Sequence, residues 1–484
     1  MEPILEKIRS LYQSFSDEPL LSLDKIPQSG SDRAYFRLNG PNSSVIATFG
    51  NNIRENETFI YFSNHFKSMG CPVPQILTVS EDRRAYLQED FGETSLLNCL
   101  ENDGYTSQVY ELFQLSLKNL AELQVNGDNG LDYSKCITSQ EFGKQAILSD
   151  LLYFKYYFLD TLQLPYDKEK LIDDFEALST YLTRVDHKYF MFRDFQSRNI
   201  IVRDGKVYFI DFQGGMKGAL QYDVASMLWQ ARAELPEEWK TDLLEYYIGC
   251  LEEIMDTKVD RTRFVSQYNG YVLIRLLQVL GAYGFRGLFE RKAQFLTSIP
   301  QALRNLSSFI QMQGLGIAVP EFERLLSIIV SDEIRGRFEY VKANAETPLV
   351  VKISSFSYRN GFPDDACGNG GGFVFDCRGL LNPGRFDEFK TKTGRDKAVM
   401  DFLEQKTKMK DFLVSVFAIV DISVEDYIKR GFSDLQIGFG CTGGQHRSVY
   451  AADALAKHLK NKFHVNVEVS HLVQEAKNWV NLPY

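Results

Sequence analysis

The 484-residue sequence predicts a two-lobed α+β domain followed by a separate α/β domain. Three observations carry this. Residues 18–92 alternate aromatic and β-branched residues with turn formers, residues 105–310 are helical in period apart from a short β-rich segment at 189–215, and a fresh strand, LVVKISSFS, opens after Thr347. The chain is too long for one ordinary core, and length alone suggests about three domains of ~150 residues.

The first lobe begins after an amphipathic helix, MEPILEKIRSLYQSF. RAYFRLNGPNSSVIATFG reads as two strands joined by a Gly-Pro-Asn turn. NETFIYFSNHFKSMG has helical period and ends on Gly70, a residue suited to closing a helix. RRAYLQEDFG completes the lobe as a strand running into acidic residues. YELFQLSLKNLAELQ and KQAILSDLLYFKYYFLDTL place apolar residues three and four apart, as amphipathic helices do. YFMFRDFQSRNIIVRDGKVYFIDFQGG then holds two short strands around an Asp204-Gly205 turn, and helices resume from 222 to about 310. The boundaries expected are 1–92 and 93–310 for the two lobes, 311–346 for a bridging helix, and 347–484 for the last domain.

Composition narrows the class. A hydrophobic share of 44% with 24% charged residues is that of a globular protein. The N-terminus has neither the basic start nor the apolar stretch of a signal peptide, and runs such as FLVSVFAIV fall short of the ~20 residues that span a bilayer. The seven cysteines, Cys71, Cys99, Cys136, Cys250, Cys367, Cys377 and Cys441, form no C-x-x-C pair, which argues for a reducing cytoplasm and against a zinc site. Net charge is −10, with about −12 before residue 347 and about +2 after it, a balance that disfavours general nucleic-acid affinity.

Two constellations carry chemistry. In FRDFQSRNIIVRDGKVYFIDFQ, Asp194 and Asn199 stand five apart and Asp211 follows a hairpin. A metal nucleotide needs two hard oxygen ligands on rigid backbone and a carboxylate to receive or position the nucleophile's proton. Asp194 fits the last role, with Asn199 and Asp211 holding Mg²⁺ against the phosphates of ATP; the competing reading is a polar hairpin with incidental aspartates. Upstream, Ser29, Gly30, Ser31, Asp32 and Arg33 form a turn suited to covering phosphates, and Glu89 and Asp90 in YLQEDFG stand where backbone would meet adenine. As bare patterns, these are equally a hairpin turn and an edge strand. No lysine ends SVIATFG, where Thr48 and Phe49 stand instead; Arg33, Arg37 and Arg54 are the nearby cations, each also readable as a surface arginine.

At RAYFRL, VIA without a lysine, CPVPQIL, EDFG, FRDFQSRNI, IDFQ, YDVASML and IRLLQVLGAYGFR, the chain resembles the aminoglycoside phosphotransferase family. Within that family it is most similar to the N-acetylmuramate/N-acetylglucosamine anomeric kinases, over roughly residues 20–310. The resemblance implies a protein-kinase-like fold and ATP-dependent phosphorylation of a sugar hydroxyl, the anomeric one included. That branch also lacks the lysine. By the same resemblance Asp223 anchors the catalytic loop, Phe192 replaces the usual histidine, and Arg198 and Gln213 face either the sugar or solvent.

The second constellation is GFGCTGGQHRSVYAADAL. Cys441 and Arg447 are separated by five residues and Ser448 follows, which is the spacing of the cysteine phosphatase loop. Gly443 and Gly444 permit a tight nest of N–H groups and a helix starts there, so the step suits an anion, with His446 and Arg447 adding charge-assisted bonds. A phosphatase also needs a thiolate and an acid, and Asp364, Asp365 and Asp396 carry no signature of one. Cys441 reads more readily as a small buried residue closing a strand than as a nucleophile.

Together with ISSFSYRNGFPDDA and FVFDCRGLLNPGRFDEFKTKTGRDKAVMDFLE, this stretch resembles the C-terminal domain of the RNase adapter RapZ over nearly all of 347–475. That likeness implies a non-catalytic α/β sensor of glucosamine-6-phosphate. Cys441, Thr442, Gly443, Gly444, His446 and Arg447 would hold phosphate and sugar, Asp376, Arg378 and Asn382 would form the opposite wall, and Ser355 and Asn360 would add to it. Three departures from the full-length adapters stand out: the ACGNGGG insertion lengthens a loop beside the site, no G-x-x-x-x-G-K-S/T of their P-loop kinase domain occurs, and the NWVNLPY ending in place of a basic tail counts against RNA binding. The expectation is therefore a cytoplasmic amino-sugar kinase fused to an amino-sugar-phosphate sensor in cell-wall sugar recovery, with no membrane partner and with self-association through the last domain. The alternatives are a kinase that is also a cysteine phosphatase, and a non-catalytic adapter.

Overall fold

The structure, a computed structural model, describes all residues except 1, 27–32, 291–292, 313, 340, 366–367, 369–371 and 478–484. Ser29, Gly30, Ser31 and Asp32, most of the ACGNGGG insertion and the NWVNLPY ending therefore lie outside the described residues. The chain divides into two compact units, 1–282 with 301–334, and 283–300 with 335–484.

In the first unit, β1 (Ser22–Ile26), β2 (Ala34–Asn39), β3 (Ser44–Phe49), β4 (Ile76–Val79) and β5 (Ala85–Glu89) form one antiparallel sheet in the order β1-β2-β3-β5-β4. The helix Glu2–Phe15 lays Ile8, Leu11 and Tyr12 on Phe36, Leu38, Val45 and Leu87, which alternate along the strands and so share one face. The helix Ile53–Ser68, capped by the Asn52 side chain on the Glu55 N–H, follows β3 and ends just before Gly70 at φ +80°.

The second lobe is helical. Between its helices run two small antiparallel pairs, β6 (Lys188–Met191) with β9 (Met216–Ala219) and β7 (Ile200–Arg203) with β8 (Lys206–Phe209). The turn of the second pair holds Asp204 and Gly205, both at positive φ, as a two-residue hairpin turn matched to strand twist requires. The helix Pro320–Ile329, in the segment expected to bridge, packs Phe322 edge-on against Phe175 and donates its N–H to Asp174 at 2.9 Å, both within this unit. Residues 261–289 are long and apolar enough to cross a membrane, contrary to the reading of the apolar runs. Their Gln267 and Arg275 are nevertheless buried and bonded to side chains of the first unit, the usage of a core helix.

The second unit carries a parallel sheet of β10 (Val350–Ser357), β11 (Gly372–Asp376), β12 (Asp434–Cys441) and β13 (Asn466–His471), in the order β11-β12-β10-β13. Val351, Ile353, Ile437 and Phe439 fill its core with Val416, Val420, Leu455 and Leu459 from the helices Met409–Arg430 and Arg447–Phe463. From the carboxyl ends of the adjacent strands β10 and β12 the chain runs on to the two opposite edges of the sheet, β11 and β13. A two-lobed kinase-like domain followed by an α/β domain is the architecture found.

Candidate functional site

The loop 192–199 leaves β6 and is fixed from beneath. Asp223, fully buried in the helix Leu220–Leu228, accepts the N–H groups of Phe192 at 2.7 Å and Arg193 at 2.9 Å and the Gln124 amide at 2.9 Å. Burial pushes its carboxyl up to about 7, while those three donors favour the ionised form. Arg193 takes φ +77°, a conformation unfavourable for any residue with a Cβ, and its guanidinium is held by Asp150 at 3.1 and 3.2 Å. Phe192 packs edge-on with Phe195, Phe209 and Phe212, so an apolar cluster fills the place of the expected histidine.

The loop presents Asp194, whose Oδ1 lies 3.0 Å from Nη2 of Arg275. Burial pushes this carboxyl up, but the charges of Arg275, Arg198 and Arg193 outweigh it and hold the pKa below the ordinary value. Asn199 donates its amide N–H to the Asp194 carbonyl at 2.9 Å, which turns its own Oδ1 away as an open acceptor. Pairing of Ile200 with Phe209 across the hairpin, and the bond from Ile210 N–H to the Asn199 carbonyl, carry Asp211 to the same end as Asn199. Asp211 sits at φ +69° and accepts Nη2 of Arg33 at 3.2 Å and the Gln213 amide at 2.9 Å.

The N-terminal candidates divide. Arg33 is buried and touches the site through Asp211. Arg37 is spent on Asp90, at 2.7 and 3.1 Å, and on Glu93, and Arg54 on the carbonyl of Cys136. Asp90 also accepts Ser44 and the Gly92 N–H, while Glu89 bonds Lys67 and its own N–H goes to Gln75. Both acidic side chains thus brace the chain as it leaves the sheet. Gln213 is committed to Asp211, and Arg198 is exposed beside Asp194.

In the second unit, Cys441 ends β12 opposite Ser357 of β10, and the loop 442–446 turns into the helix Arg447–Phe463. Gly444 stands at φ +61°, where a Cβ would meet Val473 at 2.4 Å, so only glycine fits the turn. The sulfur of Cys441 lies 3.2 Å from the Gly444 N–H and 3.1 Å from the Ser448 hydroxyl. Burial pushes the thiol up, yet the Ser448 hydrogen bonds, the Arg447 charge and the Gly443 N–H bring it below its ordinary value.

Arg447 is 3% exposed and donates Nη1 to the carbonyls of Arg378 at 3.1 Å and Leu380 at 2.7 Å. Among the described residues its other edge is little committed: Nε has no hydrogen-bond partner, and Nη2 has Thr442 Oγ1 at 3.5 Å. His446 departs from expectation. Burial lowers its pKa below the ordinary imidazole value against the pull of the Phe389 carbonyl, which lies 2.9 Å from Nε2, so that nitrogen is spent on the backbone. Ser355 is also corrected: it has no exposed surface and spends its hydroxyl on His471, which in turn meets Asp453. On the opposite wall Asp376 is paired with Arg378, which lies 3.9 Å over the Tyr358 ring, and Asn382 accepts the Gly384 N–H.

Residues 23–257 match the model of the phosphotransferase enzyme family, and residues 349–475 match that of the RapZ C-terminal domain. The chain joins a phosphotransferase-family domain to a RapZ C-terminal domain. Among curated proteins it is 34% identical over 149 residues to a nucleotide-binding protein of Shewanella halifaxensis, covering 31% of this chain and 49% of that one. It is 39% identical over 123 residues to a nucleotide-binding protein of Endomicrobium trichonymphae, covering 25% and 41%. The chain thus spans about half the length of the curated relatives it matches. Solved structures similar to it include choline kinase LicA from Streptococcus pneumoniae, at 16% identity and TM-score 0.43 over 63% of this chain and 98% of that one. Another is the amicoumacin kinase hAmiN, at 12% identity and TM-score 0.43 over 69% and 93%.

The donor set of the phosphotransferase domain suits a hard cation. Among the described residues no three His, Cys, Asp or Glu side chains cluster to hold a metal alone. A cation would therefore rest on Asn199, Asp211 and the phosphates of a nucleotide, as Mg²⁺ does. Arg275 and Asp150 escaped the sequence reading; the one available signal was an arginine and a carboxylate inside apolar helices, where a charge requires a partner.

Proposed function

We propose that the phosphotransferase domain is an ATP- and Mg²⁺-dependent kinase acting on a hydroxyl of an amino sugar, and that the RapZ domain binds an amino-sugar phosphate such as glucosamine-6-phosphate. The observation that carries the kinase reading is the convergence of Asp194, Asn199 and Asp211 at one end of the β7–β8 hairpin. Asp194 receives the acceptor hydroxyl. Held ionised by three arginines, it is a weak base that orients the nucleophile and takes its proton late, as a loose phosphoryl-transfer transition state allows. The proposed acceptor is the anomeric hydroxyl, the most acidic on a sugar, as in the N-acetylmuramate/N-acetylglucosamine reading. When bound, Mg²⁺ supplies neutralisation of the phosphate charge. Asn199 and Asp211 hold its place, and Gln213 orients the Asp211 carboxylate.

In the RapZ domain, the free Nε/Nη2 edge of Arg447, at the first turn of a 17-residue helix and beside Gly443, matches the two-point geometry of a phosphate. The lowered Cys441 thiol favours a second reading, a cysteine phosphatase, in which that sulfur attacks phosphorus. A panel of amino sugars incubated with ATP and Mg²⁺, read by product mass, tests the first reading. A single phosphosugar is expected, with its formation abolished in Asp194→Asn; no product from any sugar refutes the kinase reading. Release of inorganic phosphate from glucosamine-6-phosphate by wild type but not by Cys441→Ser would select the phosphatase.

A further inference from the structure

Nucleotide phosphates need a fixed cation, and β3 does not supply it. Thr48, across the ladder from Tyr35 of β2 on one side and Tyr86 of β5 on the other, is fully buried and uncharged. The cation has moved one strand over. Because Ala34 pairs with Phe49, Arg33 lies one step beyond the end of that pairing, level with Gly50. A Cβ on Gly50 would stand 3.0 Å from Cγ of Arg33, so the bare backbone leaves room for the arginine stem. The guanidinium then passes the rings of Tyr35 and Phe59, at 5.5 and 5.9 Å, and reaches two carboxylates. Nε meets Glu55 at 3.2 Å, on the first turn of the helix after β3, and Nη2 meets Asp211 at 3.2 Å.

We infer that Arg33 is the phosphate-binding cation of the kinase site, held by Glu55 and poised at Asp211, and that it performs the task of the lysine absent from β3. The inference rests on the kinase reading. The other two cations are engaged elsewhere, Arg37 by Asp90 and Glu93 and Arg54 by a backbone carbonyl. Arg33 is placed for the role by two independent carboxylates, one that fixes it and one that marks the metal's position. With a metal nucleotide held at Asp211, the Nη2 end would be available to a phosphate oxygen while Nε stays on Glu55. A planar guanidinium makes both contacts at once, where a lysine makes them from one point.

The test is calorimetric binding of a non-hydrolysable ATP analogue with Mg²⁺ and no sugar, together with steady-state kinetics. Arg33→Met is expected to weaken analogue binding and raise the KM for ATP by about tenfold to a hundredfold with the KM for the acceptor sugar unchanged. Placing a lysine on β3 in that background, as Arg33→Met/Thr48→Lys, is expected to restore much of the binding, a recovery that a purely structural arginine would not give. Wild-type analogue affinity in a folded Arg33→Met overturns the inference while leaving the kinase reading intact. A wild-type protein that binds no nucleotide overturns both. Should Arg33→Met fail to fold, Arg33→Gln carries the test: it keeps a donor for Glu55 but removes the charge, and an unchanged KM for ATP in that variant overturns the inference.

Discussion

At the scale of the residue, the ionisation of Asp194 is set by its cationic neighbours. Burial acts to raise its pKa, and Arg275, Arg198 and Arg193 together lower it below the ordinary carboxylate value. The carboxylate is therefore present above that depressed value, and the acid limb of kcat/KM that reports it lies below the usual carboxylate range. Removing Arg275, the largest of the three charges, leaves burial less opposed and raises the pKa. Arg275→Met is expected to move the acid limb to higher pH and to lower kcat, and a pH–rate profile measures both. A limb that stays in place would show that Asp194 does not report in that profile. Asp194, Asn199 and Asp211 were legible because their spacing is short and the hairpin between them is local. Arg275 was not, since it stands 81 positions from Asp194 and reads, within IRLLQ, as part of a core helix.

At the scale of the element, what was legible is what local chemistry dictates. The Asp204-Gly205 turn, flanked by alternating strands, fixed the hairpin before any contact was known. The Cys441 loop shows the reverse. Its glycines and helix suggest an anion site in sequence, but which edge of Arg447 is left open depends on the carbonyls of Arg378 and Leu380, more than sixty residues upstream. The lowered pKa of His446 comes from burial, a property of the packed element. The divided guanidinium predicts an asymmetric outcome. Arg447→Lys, with one ammonium in place of two edges, is expected to weaken glucosamine-6-phosphate by about tenfold or more and also to destabilise the 378–380 turn. Cys441→Ser is expected to keep the affinity within a few-fold, because hydrogen bonds to the sulfur, not a bond from it to ligand, are what the loop provides. Calorimetric titration of both variants with the sugar phosphate decides the point. A Cys441→Ser variant that loses binding as fully as Arg447→Lys would make the sulfur a direct ligand.

At the scale of the whole molecule, the chain carries two sites of related chemistry, one suited to transfer a phosphoryl group and one suited to hold a phosphate. Charge is partitioned between them, about −12 before residue 347 and +2 after it, so an anionic ligand meets less repulsion at the second site than at the acidic bulk of the chain. If the second ligand governs the first reaction, the link is a coupling free energy, and linkage makes it reciprocal. We propose an inhibitory sign, with the bound hexosamine phosphate reporting its own supply to the kinase. Saturating glucosamine-6-phosphate should raise the dissociation constant of the acceptor sugar by about fivefold or more, and saturating acceptor should raise that of glucosamine-6-phosphate by the same factor. Arg447→Lys, by weakening the second site, should shift the inhibition to higher ligand concentration without changing its depth. Both titrations on the full chain measure this directly. Equal binding in the presence and absence of the other ligand would make the two domains independent, joined by the chain alone.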